Sequence, residues 1–173
     1  MIVVAAASII IMIKPELKKT FNMMTLTSSA FADGGIIPER YSPFGADINP
    51  PLSWSDAPAG VRSFALIMED PDVPASAGVK VWDHWIVFNI PPAVTSIPEA
   101  WKVVGTKGTG TGGGTDYSGP RPPDREHRYY FYIYALDQEL SLPEGAGKSA
   151  VMSAMNGHVL AQASLMGRFA PRR

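Results

Sequence analysis

Sixteen prolines and sixteen glycines punctuate the 173 residues, and few stretches run long enough between them to build a long helix. Proline fixes its own φ and offers no N–H, and glycine readily takes the conformations that turns require. A chain interrupted this often consists of short elements joined by turns, which predicts an all-β or β-rich fold. The length favours one domain with a sizeable core. An apolar fraction of 46% argues against disorder.

Three segments carry strand signals. "SFALIMED" (63–70) is apolar with little alternation, so both of its faces are expected to be covered. By the period-two rule Phe64, Leu66, Met68 and Asp70 share one face. "KVWDHWIVFNI" (80–90) puts Trp82, His84, Ile86 and Phe88 on one face, with Asp83, Trp85 and Val87 on the other. "HRYYFYIYALD" (127–137) is aromatic or branched on both faces, one of them holding His127, Tyr129, Phe131, Ile133 and Ala135. The polar, glycine-rich stretch 105–126 reads as a long loop, of the kind that is usually functional or disordered. Apolar residues at 151, 152, 155, 159 and 160 predict two short helices meeting at Asn156-Gly157, followed by a closing strand near "SLMGRF".

Composition removes several function classes. Net charge is −1 with the basic residues scattered, so there is no electrostatic footprint for nucleic acid. The absence of cysteine removes disulfides, thiolate metal sites and thiol nucleophiles. Gly108-Thr109-Gly110-Thr111-Gly112-Gly113 satisfies a dinucleotide-binding pattern literally, but "TDYSGPRPP" after it cannot open a helix. "GKS" at 147–149 has Leu142 where a phosphate-binding loop needs glycine. No metal site and no cofactor are expected.

The apolar run 1–13 is shorter than the roughly 20 residues of a membrane span, and no basic residue precedes it as a signal peptide would require. Residues 1–24 therefore read as a leader or a mis-assigned start, with Met12 and Met24 as alternative starts. Residues 25–173 read as one domain, and the expected compartment is the cytoplasm.

Three polar residues sit at strand ends on otherwise apolar faces: Asp70, His84 and His127. If 63–70 and 82–90 pair as antiparallel neighbours, Asp70 and His84 face one rim. Spacing alone does not bring His127 there. Each of the three has a structural explanation when taken singly, as a satisfied core histidine or a turn cap in "DPDVP". His158, on the expected last helix, is assigned a structural role.

"DPDVP" (70–74), "WDHW" followed by "VFNIP" (82–91), "YSGPRPP" (117–123), "HRYYFYIYALD" (127–137) and "GHVLAQASLMG" (157–167) resemble, in this order and spacing, the phosphatidylethanolamine-binding protein family. The branch resembled is the bacterial and archaeal Raf-kinase-inhibitor-like one. "LTSSAFADGGIIPERY" resembles the family's opening segment, which makes Ala30-Phe31-Ala32 folded structure rather than a cleavage site. The resemblance implies a β-sandwich of two antiparallel sheets with Greek-key connections and short C-terminal helices. It also implies an anion-binding pocket at one end, lined by Asp70, Pro74, Trp82, His84, Gly119, Pro120, His127 and Tyr129. Prokaryotic members are commonly dimers, which makes a homodimer the expected assembly.

The residue types suit such a pocket. His84, His127 and loop N–H groups near Gly119 can donate to a phosphate or carboxylate, and a nearby carboxylate is expected to raise a histidine pKa toward the charged form. Asp70 repels a dianion, so it orients a histidine, shares a proton with the ligand or accepts from an ammonium head group. The leading expectation is a non-enzymatic protein that binds a small anionic ligand such as phosphate or phosphorylethanolamine. Two alternatives stand beside it: a protein-interaction module inhibiting a protease or kinase, and an acid–base hydrolase of phosphoesters or esters.

Overall fold

The computed structural model describes residues 24–171; the apolar leader and Met12 lie outside the described residues. Among the described residues nine strands form two sheets. β1 (Thr25–Thr27), β3 (Leu52–Ser55) and β6 (Ser96–Ile97) make a small antiparallel sheet in the order β1-β3-β6. The larger sheet runs β2-β9-β8-β4-β5-β7, from β2 (Gly35–Ile36), β9 (Val159–Phe169), β8 (His127–Leu136), β4 (Ser63–Asp70), β5 (Trp82–Ile90) and β7 (Thr106–Lys107). Within it, β8 returns over a long connection to lie on the free side of β4, giving the order 8-4-5-7 of a Greek key. The pairing of β2 with β9 is parallel, a local departure from the all-antiparallel expectation.

The two sheets enclose the main core. Leu26, Leu52, Trp54 and Ile97 come from the small sheet, and Phe64, Leu66, Met68, Val87, Phe131, Ile133 and Leu165 from the large one. Phe31 enters from the opening segment, its ring 6.0 Å from that of Phe131. Each such fully buried side chain contributes about 1.5–3 kcal/mol of transfer free energy. The opposite face of β4 and β5 is also covered: Ala65, Ile67, Ile86 and Phe88 pack under Val151 and Met155 of α1 (Lys148–Met155). This double burial is why 63–70 reads as a continuous apolar run.

Lys148 opens α1 and fastens it to the sheet. Its ammonium is ion-paired with Glu69 and lies 3.0 Å from Asp83 Oδ1, and those two carboxylates sit opposite one another on β4 and β5.

Two expectations change. α1 is the one α-helix among the described residues, and the segment expected to be a second helix is the first half of β9, eleven residues long. A ten-pair antiparallel ladder with β8, from Leu136↔Val159 to His127↔Phe169, holds it extended against its weak local signal. His158 accordingly lies in the turn before β9, 2.9 Å from Asp137, and not on a helix.

The glycine-rich stretch is an ordered flank of β5. The Gly108 N–H donates to the Ile86 carbonyl, the Thr111 N–H to the Asp83 carbonyl, and the Asp83 N–H to Thr111 Oγ1. A Cβ on Gly108 would stand 2.6 Å from the Ile86 side chain, and one on Gly110 2.6 Å from the Asp83 carbonyl oxygen. Glycine is required there because the loop backbone lies directly on the strand.

Candidate functional site

Asp70 closes β4 and faces Trp82, the first residue of β5, across the antiparallel pair. One step further in, Glu69 pairs with Asp83 but Met68 pairs with Trp85, which leaves His84 as the extra residue of a β-bulge. Strict alternation groups His84 with Ile86 and Phe88, and Trp85 with Asp83. The bulge breaks that grouping. Asp83 takes the α1 side with Ile86 and Phe88, while His84 and Trp85 both turn to the inter-sheet side. His84 thereby meets Tyr129 edge-on, ring centroids 5.3 Å apart.

A cavity of about 560 Å³ opens at this end of the sandwich, within the size range of small-molecule sites. Asp70, Pro74, Trp82, His84, Gly119, His127 and Tyr129 line it, together with Asp47, Ser118, Arg121 and Pro123. Of the eight residues expected from sequence, only Pro120 is absent from the lining; it is buried beside Gly119. Asp47 and Arg121 carried no motif of their own and were not anticipated, although Arg121 stands inside the "GPRPP" loop.

The interior polar groups form a chain. Asp70 Oδ2 lies 2.7 Å from His127 Nδ1, and His127 Nε2 lies 2.8 Å from Asp124 Oδ1. A neutral imidazole has one N–H to offer, so carboxylates at both ring nitrogens call for a second proton. Asp70 Oδ1 accepts from the Asp72 N–H at 2.7 Å, leaving neither oxygen of that carboxylate without a partner. The hydrogen bond from His127 holds the Asp124 carboxyl below its ordinary range. The Tyr129 hydroxyl lies beside the Asp70 carboxylate and the Arg121 backbone without a hydrogen bond of good geometry to either. Burial first, then Asp70, pushes its pKa up, so it remains a phenol.

His84 is held differently. Its Nδ1 is 2.8 Å from the Ser118 carbonyl; a carbonyl only accepts, so Nδ1 carries the proton and Nε2 is left without a partner. Burial keeps its pKa below the ordinary histidine range, against the opposing pulls of the Ser118 carbonyl, Asp70, Asp83 and Asp47. The expectation that a neighbouring carboxylate raises this histidine is thus reversed, because desolvation outweighs the charges.

Gly119 also has a role other than the expected one. Its N–H donates to Asp47 Oδ1 at 2.8 Å and is not open to a ligand. A Cβ at this position would lie 2.1 Å from the Tyr41 carbonyl oxygen, so the residue lets loop 117–123 close onto loop 41–47. The Tyr117 hydroxyl, donating to the same Tyr41 carbonyl at 2.8 Å, fastens that contact.

Among the described residues no group of three or more His, Cys, Asp or Glu is arranged to hold a metal, and no helix is long and apolar enough to cross a membrane. The profile of phosphatidylethanolamine-binding proteins matches residues 27–170. A UPF0098 protein of Chlamydia muridarum is 49% identical over 147 residues, covering 84% of this chain and 98% of the relative. One from Methanothermobacter thermautotrophicus is 45% identical over 152 residues, with the same coverage of 84% and 98%. The crystal structure of a phosphatidylethanolamine-binding protein homolog from Chlamydia trachomatis superposes with a TM-score of 0.83 at 49% identity, covering 85% of this chain and 97% of that one. Escherichia coli YbcL superposes at 0.78 with 26% identity, covering 86% and 99%.

Proposed function

The chain belongs to the phosphatidylethanolamine-binding protein family, and from that premise we propose that it is a binding protein, not an enzyme, whose cavity takes a small anionic ligand of the phosphate or phosphorylethanolamine type. The observation that carries this reading is the partnerless Nε2 of His84, which with the unbonded Tyr129 hydroxyl stands open in a cavity where Asp70, His127 and the Gly119 N–H are already engaged. A ring nitrogen of a buried histidine that opens on a cavity without a protein partner is a group that a ligand can satisfy. Pro74 and Trp82 give the cavity apolar walls suited to a shaped slot. The Asp70–His127–Asp124 chain is engaged within itself, which favours a supporting role over proton transfer to a substrate.

Calorimetric titration with phosphorylethanolamine tests the proposal. Wild type should bind, and His84→Ala should lose that binding while unfolding at a similar denaturant concentration. Equal affinities of the two proteins would remove the case for this site.

A further inference from the structure

We infer that Arg121 meets the charge of the ligand, and that the anion is held with one proton between it and Nε2 of His84; this rests on the anion-binding reading of the same cavity. The fixed charges of the cavity interior do not favour an anion by themselves. Asp47 and Asp70 are carboxylates, and the Gly119 N–H is taken by Asp47. Among the described residues Arg121 is the one lining residue with a guanidinium or ammonium group. It is exposed at the mouth and belongs to none of the ion pairs among the described residues, whereas its neighbours Arg125 and Arg128 are held by Asp124 and Asp72. A free guanidinium at the opening of a cavity can offer two parallel N–H donors to a phosphate.

The interior end sets the proton. With Nδ1–H fixed on the Ser118 carbonyl, a neutral His84 presents an acceptor at Nε2, and an acceptor nitrogen meets an anionic oxygen only across a shared proton. That proton enters from solvent onto the ring or arrives as the hydroxyl of a singly charged phosphate monoester, whose second pKa lies near 6. The charged or titratable groups around His84 are Asp70 on β4, Asp83 on β5 with Lys148 of α1 beside it, and Asp47 on the loop before β3. Asp116, paired with Lys107, stands across the glycine loop, and His127, Tyr129 and Arg121 complete the surroundings. Carboxylates predominate; desolvation outweighs them in the protein alone, and the negative charge of the bound anion tips the balance toward the added proton. The ligand class this selects is a phosphate group bearing one proton, free or on a small ester.

Calorimetry of the whole chain with inorganic phosphate and with phosphorylethanolamine, in buffers of different ionisation enthalpy, reads both parts. Binding of phosphorylethanolamine should weaken roughly tenfold between about pH 7 and about pH 8, with about one proton taken up. Arg121→Gln should bind roughly tenfold more weakly or worse, Arg121→Lys should recover part of the loss, and Arg62→Gln should match wild type. His84→Asn keeps a donor for the Ser118 carbonyl and should lose the proton uptake. Tighter binding of phosphorylethanolamine identifies a head-group source, and equal affinities a free phosphate. Arg121→Gln binding like wild type, or wild-type binding with no proton uptake, overturns this assignment alone. Absence of any wild-type binding overturns the anion reading and this assignment with it.

Discussion

His127 Nδ1 and Asp70 Oδ2 stand 2.7 Å apart across the adjacent strands β4 and β8, with the imidazole side chain 0% and the carboxylate side chain 4% exposed. The other ring nitrogen reaches Asp124, whose side chain is 42% exposed. One imidazole therefore joins the floor of the cavity to its outer loop.

The two ends of that chain should differ sharply in weight. Asp70→Ala strands a buried imidazole and the Asp72 N–H together, and should lower unfolding free energy by about 3–5 kcal/mol in a urea titration. Asp124→Ala removes an exposed partner and should shift the midpoint much less.

Arg128 donates to both oxygens of Asp72 and depresses that carboxyl to about 2. A depressed carboxyl contributes stability above its unfolded pKa, near 4, and loses it as pH falls through about 2. The thermal midpoint of Asp72→Asn should accordingly lie below that of wild type near pH 5 and converge with it near pH 2. The expected difference is about 1 kcal/mol or less, because the Arg128 side chain is 51% exposed.

Gly119→Ala should cost about 1–3 kcal/mol, since the new methyl must displace the Tyr41 backbone. The same change should loosen loop 117–123 and raise amide exchange at Ser118 and Gly119. A variant as stable as wild type, with unchanged exchange, would count against the close approach.

A metal-replete preparation should hydrolyse phosphomonoesters and simple esters no faster than His84→Ala and Asp70→Asn do. Wild-type turnover well above both variants, lost on chelation, would turn the binding reading into an enzymatic one.

The three central strands were legible because their residues carry their own signal: 63–70 matches β4 end for end, and β5 and β8 lie within 80–90 and 127–137. The first half of β9 was not, because Ala161, Gln162, Ala163 and Ser164 hold no strong strand former and their extension comes from a partner far away in sequence; only its second half, near "SLMGRF", was expected as a strand. At the site, Asp70 and His84 were legible as strand-end polar residues facing one rim. The bulge that aims His84 was hidden, since one extra residue leaves no composition signature and only the register with β4 exposes it. The direction of the His84 pKa shift was misjudged for a related reason: a sequence names the neighbouring carboxylates but not the degree of desolvation that overrides them. Arg121 gave no signal at all, because being unpaired is a property of its surroundings.

The glycine loop pressed along β5 also bears on how copies of this protein meet one another. An open strand edge invites another chain to add a strand, which is a route to filaments and aggregates. On this border of the large sheet β7 is two residues long, and the backbone groups at Asp83 and Ile86 are bonded to the glycine loop itself. Replacing Gly108 or Gly110 by bulkier residues should lift that cover, and the first symptom to look for is loss of solubility on concentration rather than a lower melting temperature.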